Sequence, residues 1–333
     1  MMLGKEKWKF GKRFVYTITY DEGFADLFEN TVPIHQQLGF PGHLALVVGQ
    51  IGQPRNVAES SWNGKRHMNV EQVKELVAMG WGVSSHSMTH GARRSMYTNT
   101  YHEVVESRER LEDLLAIPVT SFIVPYDNEN HPPVVDIARQ GGYLSVYTLT
   151  DALNDYETDL YALHRSPLIE EGFYPFYTRL DHYNRLHEAR ESRGWVVDYT
   201  HLTNPTIESP QKEITQKSLC RRLEKVREVG SNEVWVANGD EVVDYMLVHR
   251  GTTADQIRDS NSTWEWTLRA KIPNRVQRRQ LTFSFEIPTQ KAGMKPSIRT
   301  EPTQVLTHEE VEGDKCLFSL NVVDGLRISI SYP

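Results

Sequence analysis

A (β/α) barrel of seven or eight parallel strands, followed by a small all-β unit, is the architecture predicted for this 333-residue chain. Two observations predict it. From residue 13 to about 250, short apolar runs alternate with stretches of helical periodicity, the rhythm of repeated βα units. Beyond residue 262 the apolar residues alternate one by one, the period of half-buried strands. Between the two regimes, residues 251–262 (GTTADQIRDSNS) are polar and rich in Ser, Thr and Asp, and read as a linker. The expected organisation is a barrel over 1–250, a linker over 251–262 and a β-sandwich over 263–333.

The elements follow in order. Phe14, Val15, Tyr16, Ile18 and Tyr20 make a first strand that ends at Asp21, and residues 43–48 (HLALVV) make a second. Leu27 to Leu38 reads as a helix closed by Gly39. After Asn69 comes the best-signalled helix: Asn69 and Gln72 form a capping-box pair, Val70, Val73, Leu76 and Val77 share a face, and Gly80 follows the end. Trp81 to Ser85 is a short strand running into His86. A helix is expected over 100–115 and a strand over 119–126. The remaining units are helix 132–140, strand 142–149, a strand around Leu163, helix 175–192, strand 195–200, helix 210–229, strand 234–237 and helix 240–249. In the C-terminal part four strands are read from Trp264, Trp266 and Leu268; from Leu281, Phe283 and Phe285; from Cys316, Phe318 and Leu320; and from Leu326, Ile328 and Ile330.

Composition narrows the function classes. With 37 basic against 44 acidic residues the net charge is −7, so no basic field gathers nucleic acid or anionic lipid. Two cysteines without a CxxC spacing argue against a disulfide framework or a structural zinc ribbon. Met1 to Lys12 lacks the apolar run of a signal peptide, and no stretch approaches a membrane span. The expectation is a soluble chain, periplasmic or extracellular if a signal was trimmed and otherwise cytoplasmic.

A barrel does its chemistry at the strand C-termini, and reactive side chains collect there: Asp21-Glu22-Gly23, His86-Ser-Met-Thr-His90, Pro125-Tyr126-Asp127 and His201. His86 and His90 are four apart, so on a helical turn both rings project from one face toward a single metal ion. A carboxylate from another strand end would complete a two-His, one-carboxylate site with open positions, a catalytic arrangement for Zn²⁺. In Asp21-Glu22 one acid can bind the metal while its neighbour accepts a proton from water; the alternative is an acidic pair serving a helix dipole.

The segments Thr19-Tyr-Asp-Glu-Gly23, His86-Ser-Met-Thr-His90, Phe122-Ile-Val-Pro-Tyr126 and Tyr199-Thr-His201 resemble, in order and spacing, the motifs of the family 4 carbohydrate esterases, the polysaccharide deacetylases. Residues 73–80 and Gly141-Gly-Tyr143 look like that family too. The resemblance covers roughly 13–240. It implies a distorted (β/α)7 barrel and a divalent metal, usually zinc, used to hydrolyse acetyl groups from N-acetylated glycans or from O-acetyl esters. By the same resemblance Asp21 is the general base, Glu22, His86 and His90 hold the metal, the Tyr126 backbone N–H helps stabilise the oxyanion, and His201 is the general acid.

Four positions depart from the family pattern. Glu22 stands where Asp is usual. Ile123 stands where an Arg that orients the base is expected, and Arg165 is a candidate substitute, with a structural salt bridge as the competing role. The fourth motif survives only as Asp151-Ala-Leu-Asn-Asp155-Tyr156, which would make Asp151 a partner for His201. Tyr199 replaces a Leu. These departures keep open a catalytically weak glycan-binding protein, and an amidase acting on a small non-glycan substrate, beside the deacetylase reading. Trp264 and Trp266 share one face and read as core rather than as a sugar platform; Tyr174, Phe176 and Tyr177 border either a groove or a helix.

Overall fold

The computed structural model describes the chain apart from residues 58, 59, 61, 91, 92, 127, 171–181, 261 and 333, and divides it into two compact units, Arg13–Glu241 and Met1–Lys12 with Val242–Pro333. Among the described residues the main sheet of the larger unit holds eight parallel strands: β1 (Phe14–Tyr20), β2 (His43–Leu46), β3 (Gly82–Ser85), β4 (Ser121–Ile123), β5 (Ser145–Tyr147), β6 (Ser166–Pro167), β7 (Trp195–Thr200) and β8 (Val234–Val236). Their order is β5-β4-β3-β2-β1-β7-β6, with β8 beside the first half of β1 where β2 pairs only with its end. Every residue of β1 is buried, as expected for a central strand covered on both faces.

The ring closes through a short segment. Leu163 bridges Tyr147 of β5, and Ser166 and Pro167 pair with Asp198 and Tyr199 of β7. Proline has no N–H to extend the ladder, so this closure stays short and the barrel is a distorted (β/α)7. Because all these strands are parallel, Asp21, His86, Tyr126 and His201 leave their strands at the same rim.

Local sequence explains most helices. Asn69 accepts from Gln72 N at 2.8 Å and Gln72 accepts from Asn69 N at 3.0 Å, the predicted capping box of Val70–Ala78. Gly39 caps Val32–Leu38 at φ +68°, but the predicted helix from Leu27 breaks at Thr31 into two. The helix expected over 100–115 has a π turn over His102–Glu106 before Ser107–Leu115. The helix expected from 175 is described only as His182–Ser192, and Tyr174, Phe176 and Tyr177 lie outside the described residues. The helix Gln216–Gly230 is bound to the barrel through a buried network: Arg222 Nε donates to Asp198 Oδ2 at 2.8 Å, and Tyr16 OH donates to the same oxygen at 2.7 Å.

Among the described residues the second unit contains two four-stranded antiparallel sheets. One orders Gly4–Lys5, Gln280–Glu286, Lys315–Asn321 and His308–Glu312; the other orders Thr252–Asp259, Thr263–Ala270, Arg327–Ser331 and Ser297–Glu301. Trp264 and Trp266 are both buried, as their shared parity requires. The expected boundaries need correction. The stretch read as a linker is largely the strand Thr252–Asp259, whose polar side chains are exposed along a sheet edge while its backbone pairs with Thr263–Ala270. Residues 1–12 likewise join this unit instead of the barrel, through Gly4 and Lys5 paired with Ser284 and Phe283. Among the described residues no helix is long and apolar enough to cross a membrane.

Candidate active site

β1 ends in a tight turn. Glu22 and Gly23 both take left-handed backbone, at φ +76° and +79°. A Cβ at Gly23 would lie 2.4 Å from Leu46 Cδ2, so only glycine fits there without displacing β2's side chain. The turn buries both acids, at 3% and 2% exposure, and gives them different partners. Asp21 Oδ1 accepts from Arg165 Nη1 at 2.7 Å, and the Asp21 N–H is held by the Thr200 carbonyl at 2.9 Å. Glu22 Oε1 lies 3.1 Å from His90 Nε2, while Oε2 accepts from Arg55 Nη1.

The two histidines converge without a helix. His86 continues β3, its N–H on the Leu46 carbonyl at 2.8 Å, and its Nδ1 meets the Ile123 carbonyl at 2.9 Å. A carbonyl only accepts, so Nδ1 carries the hydrogen and Nε2 keeps its lone pair. Residues 87–90 form a loop with Ser87 at φ +69° and His90 at φ +58°, correcting the expected helical turn. Glu103 ties the loop down, accepting from the Thr89 N–H at 3.0 Å and the Thr89 hydroxyl at 2.6 Å, and Ser87 Oγ accepts from the His90 N–H at 2.9 Å. The imidazole centroids end 5.0 Å apart.

These side chains fit a divalent cation. One ligand atom from each of Glu22, His86 and His90 lies within 4.8 Å of the others, and all three residues are buried. Two ligands at about 2.0–2.1 Å from one ion stand about 3 Å apart, which matches the 3.1 Å between Glu22 Oε1 and His90 Nε2. Burial pushes the Glu22 carboxyl up, but His90, Arg55 and His86 outweigh it and hold the acid well below the usual range. Burial lowers the His86 imidazole to about 4, so this ring is neutral at pH 7 and has a lone pair to give.

Around this centre, Arg165 is fully buried, its Nη1 shared between Asp21 and Thr19 Oγ1 at 3.1 Å, its Nε on the Thr148 carbonyl at 3.1 Å, and its guanidinium 4.6 Å from the Tyr199 ring centroid. Burial raises the Asp21 carboxyl, but Arg165 first, then His86 and His201, bring it below the ordinary value. The Tyr126 ring stands 4.5 Å from His90, and Tyr126 takes φ +66° in a turn held by Asn130 Nδ2 on the Pro125 carbonyl at 2.9 Å. His201 follows β7, its Nδ1 on the Lys212 carbonyl at 2.9 Å and its ring 5.1 Å from Trp62.

Comparison with known proteins finds partial matches. Residues 9–146 match the family described as polysaccharide deacetylase. That stretch is similar to the polysaccharide deacetylases. YxkH of Bacillus subtilis (strain 168), whose name assigns it to the same family, is 22% identical over 149 residues, 44% of this chain and 49% of that protein, so the chain spans about half the length of the curated relative it matches. Among solved structures, IcaB from Ammonifex degensii is 21% identical with a TM-score of 0.39, covering 47% of this chain and 68% of that one. The polysaccharide deacetylase Bc1974 from Bacillus cereus is 16% identical with a TM-score of 0.42, covering 68% of this chain and 91% of that one.

Against the deacetylase motifs, two departures resolve in opposite ways. At the position of the missing Arg, Ile123 supplies its backbone carbonyl to His86, and the guanidinium on Asp21 comes from Arg165, two residues past the Leu163 bridge. Asp151, by contrast, accepts from Ser166 Oγ at 2.6 Å and Arg185 Nη2 at 2.9 Å, while His201 Nδ1 rests on a backbone carbonyl; the expected Asp151–His201 partnership is not what these bonds build. Sequence reasoning also missed a whole side of this barrel. Arg55 and Trp62 come from the loop between β2 and the helix Val70–Ala78: Trp62 Nε1 donates to Glu213 Oε1 at 2.9 Å, and Phe24 packs on Trp62 and His67. No spacing signals a lone Arg in such a loop; the Pro54–Arg66 bridge and the Arg55 N–H on the Lys65 carbonyl fold the loop back and bring it to the site.

Proposed function

We propose that this protein is a metal-dependent hydrolase that removes acetyl groups from an N- or O-acetylated polysaccharide. The observation that carries the reading is the convergence of Glu22, His86 and His90 at the barrel rim with a second, differently held carboxylate, Asp21, beside them. Glu22, His86 and His90 would hold the metal, of which zinc suits two imidazoles and one carboxylate. When bound, such a cation supplies Lewis acidity, lowering the pKa of water to about 7 and polarising the acetyl carbonyl.

The chain's own groups do the rest. Asp21, fixed by Arg165, takes a proton from the attacking water at its second oxygen. The Tyr126 backbone N–H donates to the oxygen that becomes negative as the carbonyl carbon turns tetrahedral. His201, whose Nδ1–H is held by the Lys212 carbonyl, gives the Nε2 proton of its imidazolium form to the departing nitrogen or oxygen, and the proton taken up by Asp21 restores that form. Water and the acetylated sugar thus yield acetate and a free amine or hydroxyl. The Arg165–Asp21 pair favours a working base over a decayed, glycan-binding site, since the orienting cation is present in another place.

Metal analysis together with acetate release from chitooligosaccharides and from acetylated xylan tests the reading. Metal with acetate release supports it. Glycan binding without acetate release sinks it in favour of an accessory binding protein, and neither result points to a small non-glycan substrate.

A further inference from the structure

Both carboxylates of the site are matched by a buried guanidinium: Asp21 by Arg165 and Glu22 by Arg55. The second pairing is unusual, because Glu22 is the acid that faces His90 and His86. Arg55 is 4% exposed. Its backbone is pinned in the folded-back loop, N–H on the Lys65 carbonyl at 2.7 Å and carbonyl accepting from the Gly64 N–H at 3.0 Å. Its Nε donates to Ser60 Oγ at 2.8 Å, and its guanidinium lies 5.6 Å from the Phe24 ring centroid and 6.0 Å from that of Trp62. The group is therefore held from several sides and aimed at one oxygen.

We propose that Arg55 is a built-in counter-cation that tunes the metal site: it keeps Glu22 in place and charge-matched when no metal is bound, and it weakens the affinity for a divalent ion. The inference rests on the proposed role of Glu22, His86 and His90. Two effects give its sign. The guanidinium occupies Oε2, so Glu22 offers one oxygen, and it withdraws charge from the carboxylate that donates to the ion. It also places a full positive charge across that carboxylate from the incoming cation, in a buried setting where screening is weak. Outer partners that are anions or carbonyls strengthen a metal site; a cation does the reverse. Against this stands the positioning that Arg55 supplies, worth the ordering of one side chain, roughly a factor of ten at most. The charge effect wins.

The test measures Zn²⁺ affinity of the metal-stripped full chain by competition with a chromophoric chelator, and thermal melts with and without zinc. Arg55→Gln should bind zinc about 10- to 100-fold more tightly than wild type, with a lower Tm when metal-free and a larger zinc-induced rise. Arg55→Lys, which keeps the charge, should stay within about threefold of wild type. Arg55→Met, whose chain fills the same slot between Phe24 and Trp62, replaces Gln if that variant does not fold. Equal or weaker zinc binding by the neutral variants, with His86→Ala abolishing binding, overturns the Arg55 role and leaves the site intact. Tightening by Arg55→Lys as large as by Gln overturns the charge argument. Wild-type protein that binds no zinc removes the site reading itself, and the inference with it.

Discussion

Replacing Arg165 with Met deletes the guanidinium facing Asp21 while a chain of similar length still fills the slot. The two side chains are 0% and 4% exposed and 2.7 Å apart, so the lost charge cannot be replaced by solvent without opening the barrel. Removing one partner of a buried pair costs about 3–5 kcal/mol, because the other charge remains buried without compensation. For a unit of this size each kcal/mol moves Tm by about 2–4 °C, which predicts a fall of about 6–20 °C at pH 7. Differential scanning calorimetry of metal-stripped wild type and variant measures it. In the loaded protein, zinc content should stay at wild-type level while turnover drops about 100-fold or more, since a misplaced base loses its near-attack geometry. Added guanidine at millimolar concentration should restore part of the turnover without changing zinc content. A Tm within 2 °C of wild type, together with undiminished turnover, refutes the reasoning: the pair would then be neither an energetic tie nor the support of the base.

His86→Ala should lose both zinc and acetate release, read by metal analysis and an acetate assay, whereas Asp21→Asn should keep zinc and lose turnover; full rate in the latter would cancel the base assignment. His201→Gln should slow release from N-acetyl substrates far more than hydrolysis of p-nitrophenyl acetate, whose leaving group needs no proton, and equal slowing of both would remove the acid role. His35 gives a pH prediction within the barrel. It is buried against Tyr20 OH at 2.7 Å and the Phe40 carbonyl at 3.0 Å, and burial lowers its imidazole to about 4. The folded protein thus favours the neutral ring, so this contribution is full above pH 6.5 and is lost as pH falls toward 4, amounting to about 3 kcal/mol. Urea titrations of wild type and His35→Gln between pH 7 and 4 should show a smaller acid loss in the variant, and parallel curves would refute it.

Much of this molecule was written locally. The capping box at Asn69 and Gln72, the strand Trp195–Thr200 and the buried parity of Trp264 and Trp266 depend on neighbours a few residues away, so periodicity and short-range hydrogen bonding predict them. Asp21, Glu22, His86 and His90 were readable because parallel strands must end at one rim, a topological rule that converts sequence position into proximity. The sequence by itself thus determined which residues gather. Only the tertiary structure decided what each of them touches. That Arg165 reaches Asp21, that Arg55 lies on Glu22 and that Asp151 turns to Arg185 all follow from pairings between segments far apart in the chain. Such partners are set by burial and charge pairing once the chain has closed on itself, and no local pattern encodes them.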